Sequence, residues 1–379
     1  MNQDNAAKLL DIKPDELDPF DICDTFNNNQ LRGYISRHSD YRYGAMVITH
    51  VNNKLCPPQI IYGTPKIKYP FDRNGMYRFP KMIRLQAFEK LDGTNILAYH
   101  YKDFKRNNYI SYKLRLSPVV KANKYGDFLS MWCEILDTNQ WVEETVIGYP
   151  EWNLSFEMYG SRNPITIIYD EPLNAKLLFG IDNNNASITP PDGFVDDNHP
   201  DVWDIYQNDL AEPEKCYNRL RSIMSSYNTG GDKFLHEGVV LYAYTEDNIW
   251  KQFKCKPEEI ERIHWASGTI SPIALWTTAL NTFESYDNPD RDDFITLLKE
   301  EYSSEQIGAS SPRIAKTWSK AWDHVKLVAL VNSAWDKARE AGFDICEDKN
   351  GTMRFLSQFF NKRQMQKVGY IILSQAGLI

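Results

Sequence analysis

The periodicity of the amino-acid sequence changes near Pro257, and this change constrains the fold more than any other feature. Before this residue, short apolar or alternating stretches are bounded by turn residues, which is typical of β-strands. After it, apolar residues recur at helical spacing, as at Ile314 and Trp318. We therefore predict an α+β chain with a sheet-containing domain in residues 1–256 and an all-helical domain in residues 257–379.

The composition is that of a globular protein without membrane spans. Apolar residues make up 42% and charged residues 25% of the 379 positions. No apolar run approaches the roughly 20 residues of a membrane span, and the start of the chain lacks the features of a secretory signal. The six cysteines include no Cys-x-x-Cys pair, so we expect reduced thiols and no zinc site. We expect a cytoplasmic protein, in the host cytoplasm if the source is viral, with no membrane partner.

Charge is distributed unevenly along the chain. The net charge of −8 argues against a uniformly basic nucleic-acid-binding protein. Basic residues nevertheless dominate between Lys66 and Lys124, whereas the stretch from Asp192 to Glu214 is acidic. This segregation favours one phosphate-binding face on an acidic protein, although a solvated surface with uneven charge gives the same pattern.

The stretch Phe88–Asn95 (FEKLDGTN) places a lysine between two apolar runs. Asp92 and Gly93 follow Lys90 closely, which predicts a strand, a tight turn and a second strand with the lysine at the turn. A lysine amine is a nucleophile only when it is deprotonated, so a reactive lysine needs surroundings that disfavour the ammonium form. Gly93 would let a ligand approach the backbone. Alone, Lys-x-Asp-Gly is short enough to arise by chance.

Further charged residues lie on later strand candidates. Glu157 lies among apolar residues in the predicted strand 153–160, where a carboxylate is costly unless it is paired or binds a ligand. Glu237 precedes another apolar strand, and Lys254 and Lys256 alternate with apolar residues, so their amines project to one face. Taken singly, the acids could pair with surface lysines, and the two lysines could lie on a solvated edge.

The order of these motifs is more specific than any one of them. Lys-x-Asp-Gly, Phe-Glu-x-x-Gly, Glu-Gly-Val-Val and Lys-x-Lys follow one another between Tyr43 and Lys256. In this order they resemble the covalent nucleotidyltransferase superfamily of polynucleotide ligases and RNA-capping enzymes. The resemblance implies an antiparallel-sheet nucleotidyltransferase domain of the ATP-grasp-like ligase type in residues 1–256, with an N-terminal extension in residues 1–80.

The resemblance also implies roles for the lysines. Lys90 would attack the α-phosphate of a nucleoside triphosphate and form a lysyl-adenylate, with Asp92 and Gly93 of the same motif beside the nucleotide. Lys254 and Lys256 would bind the α-phosphate and orient the pyrophosphate that leaves. Clustered lysines suit phosphoryl transfer, because this chemistry depends on positioning and charge neutralisation.

Other positions would bind the rest of the nucleotide. Arg115, or alternatively Lys113, matches a basic residue that contacts the sugar or the terminal phosphate. By the same resemblance, Glu157 would bind the ribose hydroxyls, Phe179 would pack on the purine, and Glu237 would hold the catalytic metal.

Within this superfamily, the helical C-terminal region resembles the phage tRNA-repair type of ATP-dependent RNA ligase. DNA ligases and capping enzymes usually carry an OB barrel after the Lys-x-Lys strand. Two upstream segments, near Tyr43-Gly44 and at residues 65–71, also resemble this type, and Lys68 would then contact an ATP phosphate. The family has Arg-Gly where this chain has Tyr43-Gly44, so Arg42, one position early, is a further candidate for nucleotide binding.

The implied activity is the ATP-dependent joining of RNA 3′-hydroxyl and 5′-phosphate ends, with Mg²⁺ or Mn²⁺ as cofactor. The substrate would be RNA such as a cleaved tRNA, with a functional link to an end-healing kinase-phosphatase. The helical domain would bind the RNA, with Lys362, Arg363 and Lys367 as a basic cluster, although a solvated helix end has the same composition. A DNA ligase, a GTP-dependent mRNA-capping guanylyltransferase and a non-catalytic nucleic-acid-binding homologue are the alternatives.

Overall fold

The computed structural model describes most of the chain in two compact units. The first unit ends at Ser271 and the second begins at Pro272. The described residues are 2–37, 42–72, 76–121, 127–163, 167, 169–228, 236–257, 270, 272–286, 289–302, 304–345 and 348–375. Residues 258–269, directly after the predicted domain boundary, lie outside this set.

The first unit begins with a helix and a four-stranded antiparallel sheet. Helix α1 (Gln3–Leu10) precedes β1 (Leu17–Asp24), β2 (Asn29–Ser36), β3 (Met46–Val51) and β4 (Lys54–Ile61), which pair in chain order. Apolar residues of α1 pack against the sheet. The polar sequence of residues 1–40 does not predict β1 and β2.

A five-stranded antiparallel sheet forms the centre of this unit. Its members are β6 (Thr94–Lys102), β7 (Asn108–Lys113), β8 (Trp152–Tyr159), β9 (Asn174–Asp182) and β10 (Ile188–Thr189), in the order β10-β9-β8-β6-β7. Helices α2 (Phe128–Thr138) and α3 (Gln140–Gly148) pack on one face through a core that includes Trp132 and Phe156. The opposite face therefore remains for other parts of the unit.

A three-stranded antiparallel sheet packs against that opposite face. It consists of β5 (Met82–Glu89), β11 (Val239–Thr245) and β12 (Trp250–Cys255), in the order β12-β11-β5. Helix α4 (Pro213–Asn228) covers its outer side. Both sheets contribute to one buried cluster: Phe88, Leu97, Phe179, Ile181, Val240 and Tyr242.

Every described element of the second unit is a helix. The helices are α5 (Pro272–Ser285), α6 (Arg291–Glu301), α7 (Ser304–Glu340), α8 (Lys349–Leu356) and α9 (Lys362–Gln375). The C-terminal part of α7 shares an apolar core with α8 and α9, and Phe283 and Phe294 each stack on Trp318. The prediction of an α+β chain with antiparallel sheets before a helical C-terminal region is confirmed. No described helix is both long and apolar enough to cross a membrane.

Candidate active site

Lys90 lies at the end of β5, where the chain leaves the three-stranded sheet. Its backbone amide donates to the carbonyl of Gly238 at 2.8 Å, which fixes Lys90 beside the start of β11. The side chain is one-quarter exposed, and its ammonium donates a hydrogen bond to Glu237. The strand ends thus bring together a lysine and a glutamate that are far apart in sequence.

Glu237 is shared between two lysines. Lys256 Nζ lies 2.9 Å from Glu237 Oε1, while Lys90 contacts Oε2. Burial alone would raise the pKa of Glu237, but the charges and hydrogen bonds of Lys256 and Lys90 hold it below its ordinary value. Glu237 therefore stays ionised in the folded protein, and its negative charge can bind a cation.

Glu157 is the second acid of the site. It lies in β8 opposite Asn95 of β6 and is only 9% exposed. Burial raises its pKa from 4.5 to about 7, although the charge of Lys90 acts in the opposite direction. None of the described residues donates a hydrogen bond to its carboxyl group. A buried carboxyl without such a partner is costly, so its position indicates a ligand-binding group.

Asp92, in the turn after Lys90, both accepts and donates a hydrogen bond. The carboxylate of Asp92 accepts from the amide of Ile167, and the amide of Asp92 donates to the hydroxyl of Tyr169, both at 2.8 Å. At Gly93, a Cβ atom would lie 2.2 Å from the carbonyl oxygen of Met158. Only glycine therefore fits where β6 begins against β8.

The two basic candidates on and after β7 have different surroundings. Lys113 is fully buried, and its ammonium donates to the carbonyls of Leu114 and Arg115 at 2.8 and 3.0 Å. Burial and, to a lesser extent, the charge of Arg115 lower the pKa of Lys113 from 10.5 to about 7. Arg115 is only partly buried, and its charge lowers the pKa of Glu157. The charge of Arg115 thus reaches Glu157, whereas Lys113 donates hydrogen bonds within the turn that carries Arg115.

Phe179 lies on the same face of the central sheet as Glu157. It pairs with Ser155, which is two residues before Glu157 in β8 and so shares its face. Its ring is 1% exposed and belongs to the cluster that joins the two sheets. A purine that packs on Phe179 would have to enter between these apolar side chains.

Lys254 and Lys68 lie side by side, but Arg42 has other contacts. The amide of Lys254 donates to the carbonyl of Lys68 at 3.0 Å, and the Lys68 side chain is exposed. Arg42 instead donates to the carbonyls of Leu10 and Asp11, at the end of α1. These contacts give Arg42 a helix-capping role that the sequence did not suggest.

Sequence reasoning missed several residues around the site. Tyr169 gives no local signal, because its hydrogen bond to Asp92 joins distant parts of the chain. His236 and Glu89 directly precede Glu237 and Lys90 and contact each other at 2.8 Å. This contact joins segments that are far apart in sequence, so no local pattern identifies it.

The residues fit a divalent metal that arrives together with phosphate. Among the described residues, no group of three or more His, Cys, Asp or Glu side chains is arranged to hold a metal ion. Mg²⁺ is commonly bound by one or two carboxylates together with substrate phosphates and water. The ionised Glu237 is a suitable carboxylate for such a site.

Comparison with known proteins finds likeness in structure only. No protein-family model matches the chain, and none of the curated proteins matches its sequence. Structures similar to the chain include ATP-dependent ligases. An archaeal ATP-dependent RNA ligase is 14% identical with a TM-score of 0.42, and the match covers 95% of this chain and 93% of that one.

Two further solved structures resemble the chain to a similarly low degree. A protein of Aquifex aeolicus that is proposed to be an ATP-dependent DNA ligase is 14% identical with a TM-score of 0.43, over 99% of this chain and 100% of that one. A mutant RNA ligase of Naegleria gruberi, with ATP and Mn, is 16% identical with a TM-score of 0.34, over 48% of this chain and 52% of that one.

Proposed function

We propose that the chain is an ATP-dependent RNA ligase that joins 3′-hydroxyl and 5′-phosphate ends through lysyl-adenylate and RNA-adenylate intermediates. The observation that carries the proposal is the clustering of Lys90 with two buried acids. Glu237 is bound by Lys90 and Lys256, and Glu157 lies close enough for the charge of Lys90 to affect its pKa. This arrangement combines a candidate nucleophile after β5, an ionised carboxylate before β11 and a second carboxyl group in β8.

The first step requires a neutral Lys90 amine. The Lys90 ammonium loses its proton to solvent, and its nitrogen then attacks the α-phosphorus of ATP. The new P–N bond forms as the bond to the pyrophosphate oxygen breaks, and pyrophosphate leaves. Lys254 and Lys256 offset the negative charge of the phosphates, as charge neutralisation in phosphoryl transfer requires.

The later steps return Lys90 to its starting state. A 5′-phosphate oxygen of RNA attacks the adenylate phosphorus, and the P–N bond breaks. The RNA 3′-hydroxyl then attacks the activated 5′-phosphate, loses its proton, and releases AMP as the strand is sealed. Glu157 would accept hydrogen bonds from the ribose hydroxyls, and Phe179 would pack on the purine.

A Mg²⁺ or Mn²⁺ ion held by Glu237 and the phosphates would neutralise charge on the α-phosphate. Arg115, and on the exposed side Lys68, are the basic groups available for the sugar and the terminal phosphates. Arg42, bound at the end of α1, is the least suited of the predicted nucleotide contacts.

The second unit supports the choice of RNA in this proposal. Its described elements are all helices, which favours the tRNA-repair type over ligases that carry an OB barrel. Lys362 and Lys367 are exposed on α9 and could contact RNA phosphates, while the side chain of Arg363 lies outside the described residues. Cleaved tRNA whose ends a kinase-phosphatase has healed would be a suitable substrate in a cytoplasmic setting.

A two-stage assay tests the proposal. The protein is incubated with Mg²⁺ and ATP or GTP labelled in the α-phosphate, denatured, and examined for bound label, with Lys90→Ala and the exposed-lysine control Lys251→Ala alongside. We expect label from ATP in the wild type and in Lys251→Ala but not in Lys90→Ala. Label from GTP would favour a capping enzyme. If neither nucleotide labels the protein and its intact mass shows no bound nucleotide, the proposed enzymatic activity is refuted.

The second stage of the assay tests whether the enzyme seals RNA or DNA. The adenylylated protein is given 5′-phosphorylated RNA or DNA of the same sequence, and sealed product is measured. We expect sealing of RNA, and sealing of DNA alone would replace the proposal with a DNA ligase.

A further inference from the structure

Lys254 and Lys256 are both buried near the end of β12, and each lies close to a group that the structure identifies. Lys256 is paired with the carboxylate of Glu237 at 2.9 Å. Lys254 is 7% exposed, and its ammonium lies 4.6 Å from the centre of the Tyr69 ring. The distance is within the range of a cation–π interaction.

Backbone contacts of the neighbouring residue Lys68 place Tyr69 beside Lys254. Lys68 forms a parallel bridge with Phe253, and the amide of Lys254 donates to the Lys68 carbonyl at 3.0 Å. The segment before β5 therefore runs beside β12 and carries Tyr69 to the Lys254 side chain.

A second aromatic ring, that of Phe71, packs against the ring of Tyr69. Tyr69 stacks on Phe71, with ring centres 5.1 Å apart and planes inclined by 22°. Phe71 in turn contacts Tyr217 of α4 edge to face, with ring centres 6.0 Å apart. The aromatic chain anchors Tyr69 in the core of the three-stranded sheet, so its ring is held in place before a ligand arrives.

We propose that Tyr69 is a positioning residue that holds the Lys254 ammonium ready for a nucleotide phosphate. This inference rests on the proposed function. A neutral ring attracts a cation and adds no negative charge of its own, so this contact orients the ammonium without competing with a phosphate oxygen. Lys254 would then act mainly in ATP binding.

The test compares two substitutions of Tyr69 in the full-length protein. The rate of Lys90 adenylylation is measured against ATP concentration for the wild type, Tyr69→Leu and Tyr69→Phe. Phenylalanine keeps the aromatic face and leucine removes it. We expect Tyr69→Leu to raise the KM for ATP by about 2-fold to 30-fold, the range of a cation–π interaction, with a smaller effect on the maximal rate. Tyr69→Phe should stay close to the wild type.

Two further variants separate positioning from general stability. In the Lys254→Met background, Tyr69→Leu should no longer change the KM, because the ammonium that it positions is gone. Tyr206→Leu is the matched control, since the Tyr206 ring lies 4.3 Å from the guanidinium carbon of Arg219, which has no proposed contact with ATP. This control should leave the KM unchanged.

The possible results distinguish this inference from the proposed function. A wild-type protein that forms no lysyl-adenylate would overturn both. A reactive wild type with an unchanged KM in Tyr69→Leu would overturn this inference alone. An equal rise in Tyr69→Phe and Tyr69→Leu, or a persisting effect of Tyr69→Leu in the Lys254→Met background, would also overturn it.

Discussion

Replacing Glu157 with glutamine should stabilise the first unit while removing a group needed for nucleotide binding. Glutamine has nearly the same shape as the protonated acid but cannot ionise. The rise of the Glu157 pKa from 4.5 to about 7 corresponds to about 3 kcal/mol of folding free energy that is lost when the buried carboxyl ionises. A site that binds ligand commonly carries such a cost in stability.

The pH dependence gives the sign of this effect. The folded state holds the proton of Glu157 more tightly than the unfolded state, so the contribution of this group is favourable below pH 4.5 and is lost as the pH rises to about 7. Glu157→Gln should therefore be about as stable as the wild type near pH 4.5. It should be more stable by about 3 kcal/mol at pH 8.

Urea unfolding at these two pH values provides the measurement, followed by hydrogen exchange of peptides from β8 so that the first unit is observed by itself. The exposed residue Glu144 supplies a control, because Glu144→Gln should change stability by less than about 0.5 kcal/mol at either pH. Equal stability of Glu157→Gln and the wild type at pH 8 would show that Glu157 is not an ionised, buried group, and the argument for a ligand-binding carboxyl would fail.

Two other substitutions test the parts of the structure that hold the site. For Lys113, whose pKa is lowered to about 7, the wild type should gain stability between pH 7 and pH 10, by at most about 1.4 kcal/mol per pH unit. Lys113→Met should lack this gain in the same urea experiment, and a parallel rise in both proteins would contradict it. Gly93→Ala would place a Cβ against the carbonyl of Met158, so β6 and β8 must separate. It should lower the unfolding midpoint and abolish lysine labelling, and a labelled, fully stable variant would refute the packing argument.

The sequence predicts the division between sheets and helices, but not the first two strands. The change of periodicity at Pro257 reflects side-chain burial, which repeats every two residues in a strand and about every 3.6 in a helix. Strand β1 contains Pro19 and several aspartates, and its interior residues alternate between partly buried and exposed. It is ordered through pairing with β2, and such a long-range contribution leaves little local signal.

The residues of the candidate site also fall into two groups, those that the sequence predicts and those that it does not. Lys90, Glu237 and Lys256 could be predicted from short motifs, because each lies at the end of a strand and the strands pair. Tyr69 and Tyr169 could not, since the backbone contacts that bring them to the site depend on how distant segments pack.

The central claim is that Lys90 forms a covalent bond to AMP. The most direct measurement is mass spectrometry of the protein after incubation with ATP and Mg²⁺, with digestion to locate the modified residue. We expect the mass of one AMP group on the peptide that contains Lys90, sensitive to acid as a P–N bond is, and lost when pyrophosphate is added. AMP on another residue, or an unmodified Lys90 peptide in a protein that still seals RNA, would contradict the account.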